Sequence, residues 1–170
     1  MRGLAIDGAE LLRWQQEQFA HDQRNHTDII CLSRIDRLKH YGLHFAKYAG
    51  RVARDGDNVT VLTKTMVDAA LVMLSAANAL SQRLDQSEAS TNLAPDFHTS
   101  LLGDIADAGG RFCDACEKID HMEDFLEIAR QANLDVLLWV IRLSARLNVD
   151  LHAAILERRQ QLSERQFFIP

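Results

Sequence analysis

At 170 residues, with 47% hydrophobic and 25% charged positions, the chain has the size and balance of one soluble domain, residues 1–170, able to bury a sizeable core. A net charge of −5 and the lack of a basic stripe with interleaved aromatics argue against a nucleic-acid surface, whose phosphate contacts need clustered Lys and Arg. Two prolines, one of them the last residue, together with few aromatics favour helices, and three cysteines without a scaffold spacing fit a reduced, cytoplasmic setting.

In chain order, Ala9 to His21 reads as a first helix, with Leu11, Leu12, Trp14 and Phe19 covering one side and Gln, Glu and Arg elsewhere. Arg24 to Leu32 reads as a connector. Ser33 followed by Asp36 supplies an N-cap with an acidic third position, so a helix starts there. Ile35, Leu38, Gly42, Phe45, Ala49 and Val52 recur at three and four residues and share its inner face. His40, His44, Lys47, Arg51 and Arg54 recur on another face, a basic ridge that is either a solvated surface or a seat for phosphate oxygens.

Asp55-Gly56-Asp57-Asn58 is a compact breaker of the kind that joins antiparallel helices. Val59, Leu62, Met66, Ala69, Met73, Ala76 and Leu80 then form the seam of a core helix. Asp85 to Pro95 is the most loop-like stretch. Phe97, Leu101, Ile105, Ala108, Phe112, Ala115 and Ile119 give the next seam, within which Cys113 and Cys116 read as small core or boundary residues. Asp104 and Asp107 stand three apart there, a spacing suited to a shared divalent cation. After an acidic turn, Phe125 through Leu147 reads as a fifth long helix ended by Asn148, and Asp150 begins a last one, Leu151 to Leu162, with Glu157, Arg158 and Arg159 outward. No charged leader precedes an apolar segment and no stretch approaches 18 apolar residues, so no membrane association is expected.

Asn133 to Ile141 places one acid, Asp135, in an apolar run that wraps nearly the whole helix. Such a carboxylate requires a cation, a proton or an arginine. A second copy exists: Met66 to Leu80 aligns with the segment from Leu134 to Leu147 when Asp68 is set on Asp135, and Tyr48-Ala49-Gly50-Arg51 pairs with Ala108-Gly109-Gly110-Arg111. The expected fold is therefore an all-α bundle of about six helices, built from two repeated hairpins near 33–84 and 96–147 that superpose by a pseudo-twofold.

The segment from Leu134 to Arg158, with its Asp-Val-Leu core, Asn-containing turn and Asp-Leu start of a last helix, resembles the closing part of the MazG-like all-α nucleoside triphosphate pyrophosphohydrolases. His40 to Ala53 and Leu11 to Phe19 are similar to earlier helices of that family. The resemblance implies Mg²⁺ (or Mn²⁺) as cofactor, a nucleoside triphosphate as ligand and cleavage between its α and β phosphates. Together with the apolar tail Phe167-Phe168-Ile169-Pro170, it also implies a homo-oligomer.

The family's ExxE and ExxD ligand motifs depart here. The first falls on Tyr48 and Arg51, or on Ala108 and Arg111; the second keeps its last acid alone, Asp68 or Asp135. Two readings stand. In one, Asp104, Asp107 and Asp135 hold the metal while Lys47, Arg51 or Arg111 steadies the phosphates. In the other, the chain is a catalytically silent scaffold for nucleotide binding, self-association or partner regulation, and Asp135 pairs with an arginine such as Arg111. A ferritin-like dimetal bundle is set aside, because no Glu-x-x-His tetrapeptide occurs.

Overall fold

A first helical turn leaves backbone N–H groups without partners, and short polar side chains supply acceptors at five helix starts. The computed structural model describes residues 6–86 and 96–164. Asp7 caps α1 (Gly8–Asn25), which is followed by a single helical turn, α2 (Thr27–Ile30). Ser33 caps α3 (Arg34–Asp55): its Oγ accepts from Asp36 N at 3.1 Å and donates to Asp36 Oδ2 at 2.7 Å, the N-cap with an acidic third position expected from the sequence. Asn58 caps α4 (Val59–Ala79), and Leu84–Gln86 forms a short 3-10 turn. Ser100 caps α5 (Leu101–Asp120) and Asp150 caps α7 (Leu151–Ser163), whereas α6 (Leu126–Leu147) begins at Phe125 without a side-chain cap. Asn148 ends α6 in the left-handed region at φ 54°.

The chain forms the expected all-α bundle: among the described residues there are six long helices and the turn α2, with no strand. α3 packs on α4 and α5 on α6, and the two hairpins lie against each other through α3 on α5 and α4 on α6. α1 and α7 close over α4. The predicted seams of α4 and α5 are buried apart from the end positions Val59, Phe97, Leu101 and Ile119. Ile35 and Phe19, expected on inner faces, are exposed. The linker positions 87–95 and the apolar tail 167–170 lie outside the described residues.

By length and composition α4 could cross a membrane, which corrects the expectation that no stretch approaches such apolarity; Thr, Lys and Asp interrupt the run without lowering its mean much. Most of that helix is buried inside the bundle.

α3 and α5 approach each other closely at two glycines. A Cβ on Gly109 would stand 3.3 Å from Phe45 Cβ and 3.4 Å from its carbonyl carbon, and one on Gly42 would meet both Cys113 and Cys116 Sγ at 3.5 Å. Phe45 and Phe112 pack edge to face beside this crossing, centroids 5.0 Å apart. The expected result for Gly109→Val is a loss of about 1–3 kcal/mol in urea unfolding, because the added methyls meet backbone as well as side chain. The cysteines behave as boundary residues: Cys113 donates to Gly42 O at 3.4 Å, and burial pushes the Cys116 thiol up to about 12.

Candidate functional site: a cationic cleft between α1, α3, α4 and α7

Each hairpin carries one Arg–Asp pair at the positions that the internal alignment puts in register. Asp68 accepts from Arg51 Nη1 at 3.2 Å through one oxygen and from Arg158 Nε at 2.8 Å through the other, with its side chain 12% exposed. Asp135 accepts from Arg111 Nη2 at 2.6 Å and from Gln131 Nε2 at 3.3 Å, and its side chain is 31% exposed. Full enclosure of Asp135 is thus corrected. Gln131, Asp135 and Leu138 form the outer stripe of α6, and the apolar residues around them leave the carboxylate at the rim.

The residues expected to share a metal are held in two separate arrangements. Asp104 closes the N-terminal end of α5: its carboxylate accepts from His98 N at 2.8 Å, Thr99 N at 2.9 Å and Thr99 Oγ1 at 3.1 Å, with Arg142 at 3.9 Å. Burial pushes its carboxyl up, but the hydrogen bonds from Thr99 and His98 together outweigh it and hold it below the usual range. Asp107 and Asp135 do come together, but around the Arg111 guanidinium, which gives Asp107 two hydrogen bonds of 2.9 and 2.7 Å. Among the described residues no group of three or more His, Cys, Asp or Glu side chains is placed to hold a metal ion.

The concavity with the richest chemistry lies over Asp68, a cleft of about 420 Å³. α3 lines it with His40, His44, Lys47 and Arg51, α7 contributes Arg158, and Leu71, Val72 and Leu162 form an apolar wall. Arg54, the last residue of the predicted ridge, is exposed and does not line it. Arg111 belongs to the other hairpin. Deeper in, Asp22 accepts from Ser75 Oγ at 2.6 Å and Gln18 Nε2 at 2.8 Å, and burial raises its pKa despite those bonds.

The α3 side chains form a connected chain. His44 Nε2 lies 3.1 Å from His40 Nε2, and His44 Nδ1 lies 3.1 Å from Tyr48 Oη and 3.0 Å from Lys47 Nζ. Lys47 can only donate, so His44 Nδ1 is the acceptor and its Nε2–H donates to His40. Burial, followed by the Lys47 charge, pulls His44 down to about 4 and lowers His40 as well. Both imidazoles are therefore neutral near pH 7. Burial, then Arg51, also draws Lys47 below the ordinary lysine range.

Three contributors escaped the sequence reading. Arg158 was expected outside, yet its side chain is 13% exposed; Arg159, also expected outside, is 7% exposed. The physical reason is α1: Arg159 donates to Gln18 Oε1 at 3.0 Å, Glu17 Oε2 at 2.9 Å and Trp14 O at 2.9 Å, which rotates α7 inward and carries Arg158 to Asp68. Asp22 is the third: the first helix was expected to end at His21, and α1 runs on through Asn25. Its one sequence signal is Gln15, Gln18 and Asp22 at helical spacing, a polar stripe on the buried side.

His21, beside Asp22 in α1, is 5% exposed and lowered to about 4, first by burial and then by His26, Arg159 and Arg24. Its unfolded value is the higher one, so the unfolded chain binds the extra proton between pH 6.5 and about 4, and stability falls as pH drops through that window. Thermal unfolding should show a shallower pH dependence for His21→Gln than for the wild type across that range.

Comparison with protein-family models, curated proteins and solved structures finds no match to this chain. The MazG-like resemblance accordingly stands on its short motifs alone.

Proposed function

We propose that the cleft binds a phosphorylated small molecule of nucleotide size and that the chain works as a binding scaffold. The observation that carries this reading is the placement of two guanidiniums by one carboxylate. Asp68 fixes Arg51 and Arg158 at the cleft, each with N–H donors left over, beside Lys47, for which no carboxylate among the described residues lies at ion-pair distance. Guanidinium forks match phosphate oxygens bidentately, and the apolar wall suits the body of such a ligand. The volume of about 420 Å³ falls in the usual range for small-molecule sites.

Binding is favoured over hydrolysis because the acids that a metal-dependent pyrophosphohydrolase would need are engaged: Asp68 and Asp135 by arginines, Asp104 by the start of α5. The test is calorimetric titration of the full chain with a panel of nucleoside mono-, di- and triphosphates in EDTA, alongside pyrophosphate release in Mg²⁺ and Mn²⁺. Metal-independent binding is expected. Lys47→Ala, an exposed change that leaves the Asp68 cluster in place, should weaken it about tenfold or more, as loss of a charged hydrogen bond does. Absence of binding to every phosphate compound would overturn the reading, and pyrophosphate release would replace it with the hydrolase.

A further inference from the structure

The inner wall of the cleft holds a feature that anion binding does not use. His40 and His44 stand four residues apart on α3, one turn of helix, so their side chains project from the same face. Their rings meet edge to face with centroids 4.6 Å apart, and the two Nε2 atoms lie 3.1 Å from each other. That separation has a chemical meaning besides a hydrogen bond. A metal ion bound about 2.0–2.1 Å from each nitrogen would subtend about 95–100° between them, which lies between the square and tetrahedral angles.

We propose that His40 and His44 form a two-imidazole clasp for a late first-row dication of the Zn²⁺ or Cu²⁺ type. The helix holds the two nitrogens 3.1 Å apart, so neither side chain has to be gathered from a distance. Imidazole is a ligand that these ions accept, and hard, oxygen-seeking Mg²⁺ is not expected at the clasp. The cleft is open beside the clasp, and water or an anionic ligand fills the remaining coordination positions. Asp28, which lines the same cleft and acts electrostatically on His40, is the candidate for an outer carboxylate.

Coordination requires one tautomeric change, and protons balance without release. In the metal-free arrangement His44 carries its proton on Nε2 and receives Lys47 on Nδ1. With the metal on Nε2, the same proton resides on Nδ1, where Tyr48 Oη at 3.1 Å becomes its acceptor. Lys47 can no longer donate there and must withdraw. His40 keeps its proton on Nδ1 in both states. Tyr48 is therefore a positioning residue, and Lys47 is a competitor of the metal.

The experiment is calorimetric titration of the full, chelator-stripped chain with Zn²⁺, paired with Cu²⁺ electron paramagnetic resonance to count coordinated nitrogens. Wild type should bind one Zn²⁺, and the Cu²⁺ spectrum should report two imidazole nitrogens. His40→Ala and His44→Ala should each abolish that site, with helicity checked by circular dichroism. Lys47→Met should tighten Zn²⁺, while Tyr48→Phe should weaken it by about 10–100-fold, the range for loss of an orienting partner. The opposite sign for Lys47→Met separates this site from the phosphate site, where the same residue supports binding. Wild type that binds no Zn²⁺, or Zn²⁺ binding that survives both histidine variants, would overturn the proposal.

Discussion

Arg159→Met should cost about 3 kcal/mol of stability and release α7 from α1, the low end for breaking a buried, hydrogen-bonded charge. The guanidinium joins Gln18, Glu17 and the Trp14 carbonyl to α7, and burial has already drawn its pKa down, so it is held by these acceptors in spite of its environment. Methionine fills the volume but supplies no donor. Gln18 Oε1, in a buried residue, then loses its donor, while Glu17, at 39% side-chain exposure, can turn to water. Urea unfolding gives the magnitude, and hydrogen exchange locates it: amides of 151–163 should lose protection more than those of α5 and α6. Arg159→Lys should fall between, since it keeps the charge and loses the fork. Uniform loss of protection would show that α7 is not the element this residue holds.

The same residue explains where reading the sequence stopped. Glu157-Arg158-Arg159 is indistinguishable from a solvated helix face when taken alone, and its burial follows from acceptors 140 or so positions earlier, a pairing that no local period encodes. Local signals, by contrast, carried well. Ser33 with Asp36, Asn148 and Asp150 mark helix ends through contacts spanning three to five residues, and each end falls where those residues place it.

Asp104 shows how one spacing supports two chemistries. Paired with Asp107 it reads as half of a metal site, but the Thr99-Ser100 pair just upstream makes it the acceptor for a tightening helix start instead. The ridge on α3 was legible as a basic face because its period is local. That it faces a cleft was not, because α7 and the turn after α1 create the cleft.

The two aligned acids should respond differently to one and the same change, and that contrast tests what they are for. Asp68→Asn removes the carboxylate that bridges Arg51 and Arg158, whose side chains are 30% and 13% exposed, and leaves two guanidiniums facing each other around a neutral amide. A cost of about 3 kcal/mol is expected, as for a buried pair that has lost one partner. Asp135→Asn leaves Arg111 still bonded to Asp107, in a position where the Arg111 and Asp135 side chains are 35% and 31% exposed. Screening by water limits that pair to about 0–1 kcal/mol, and it should shrink further in high salt. Urea unfolding of both variants in EDTA and again with Mg²⁺ separates the explanations. If arginines are the partners, the ranking is the same in both solutions. Should Asp135→Asn instead cost nothing in EDTA and remove a stabilisation that Mg²⁺ confers on the wild type, Asp135 would be a metal ligand, and the Arg111 pair would be what the ion displaces.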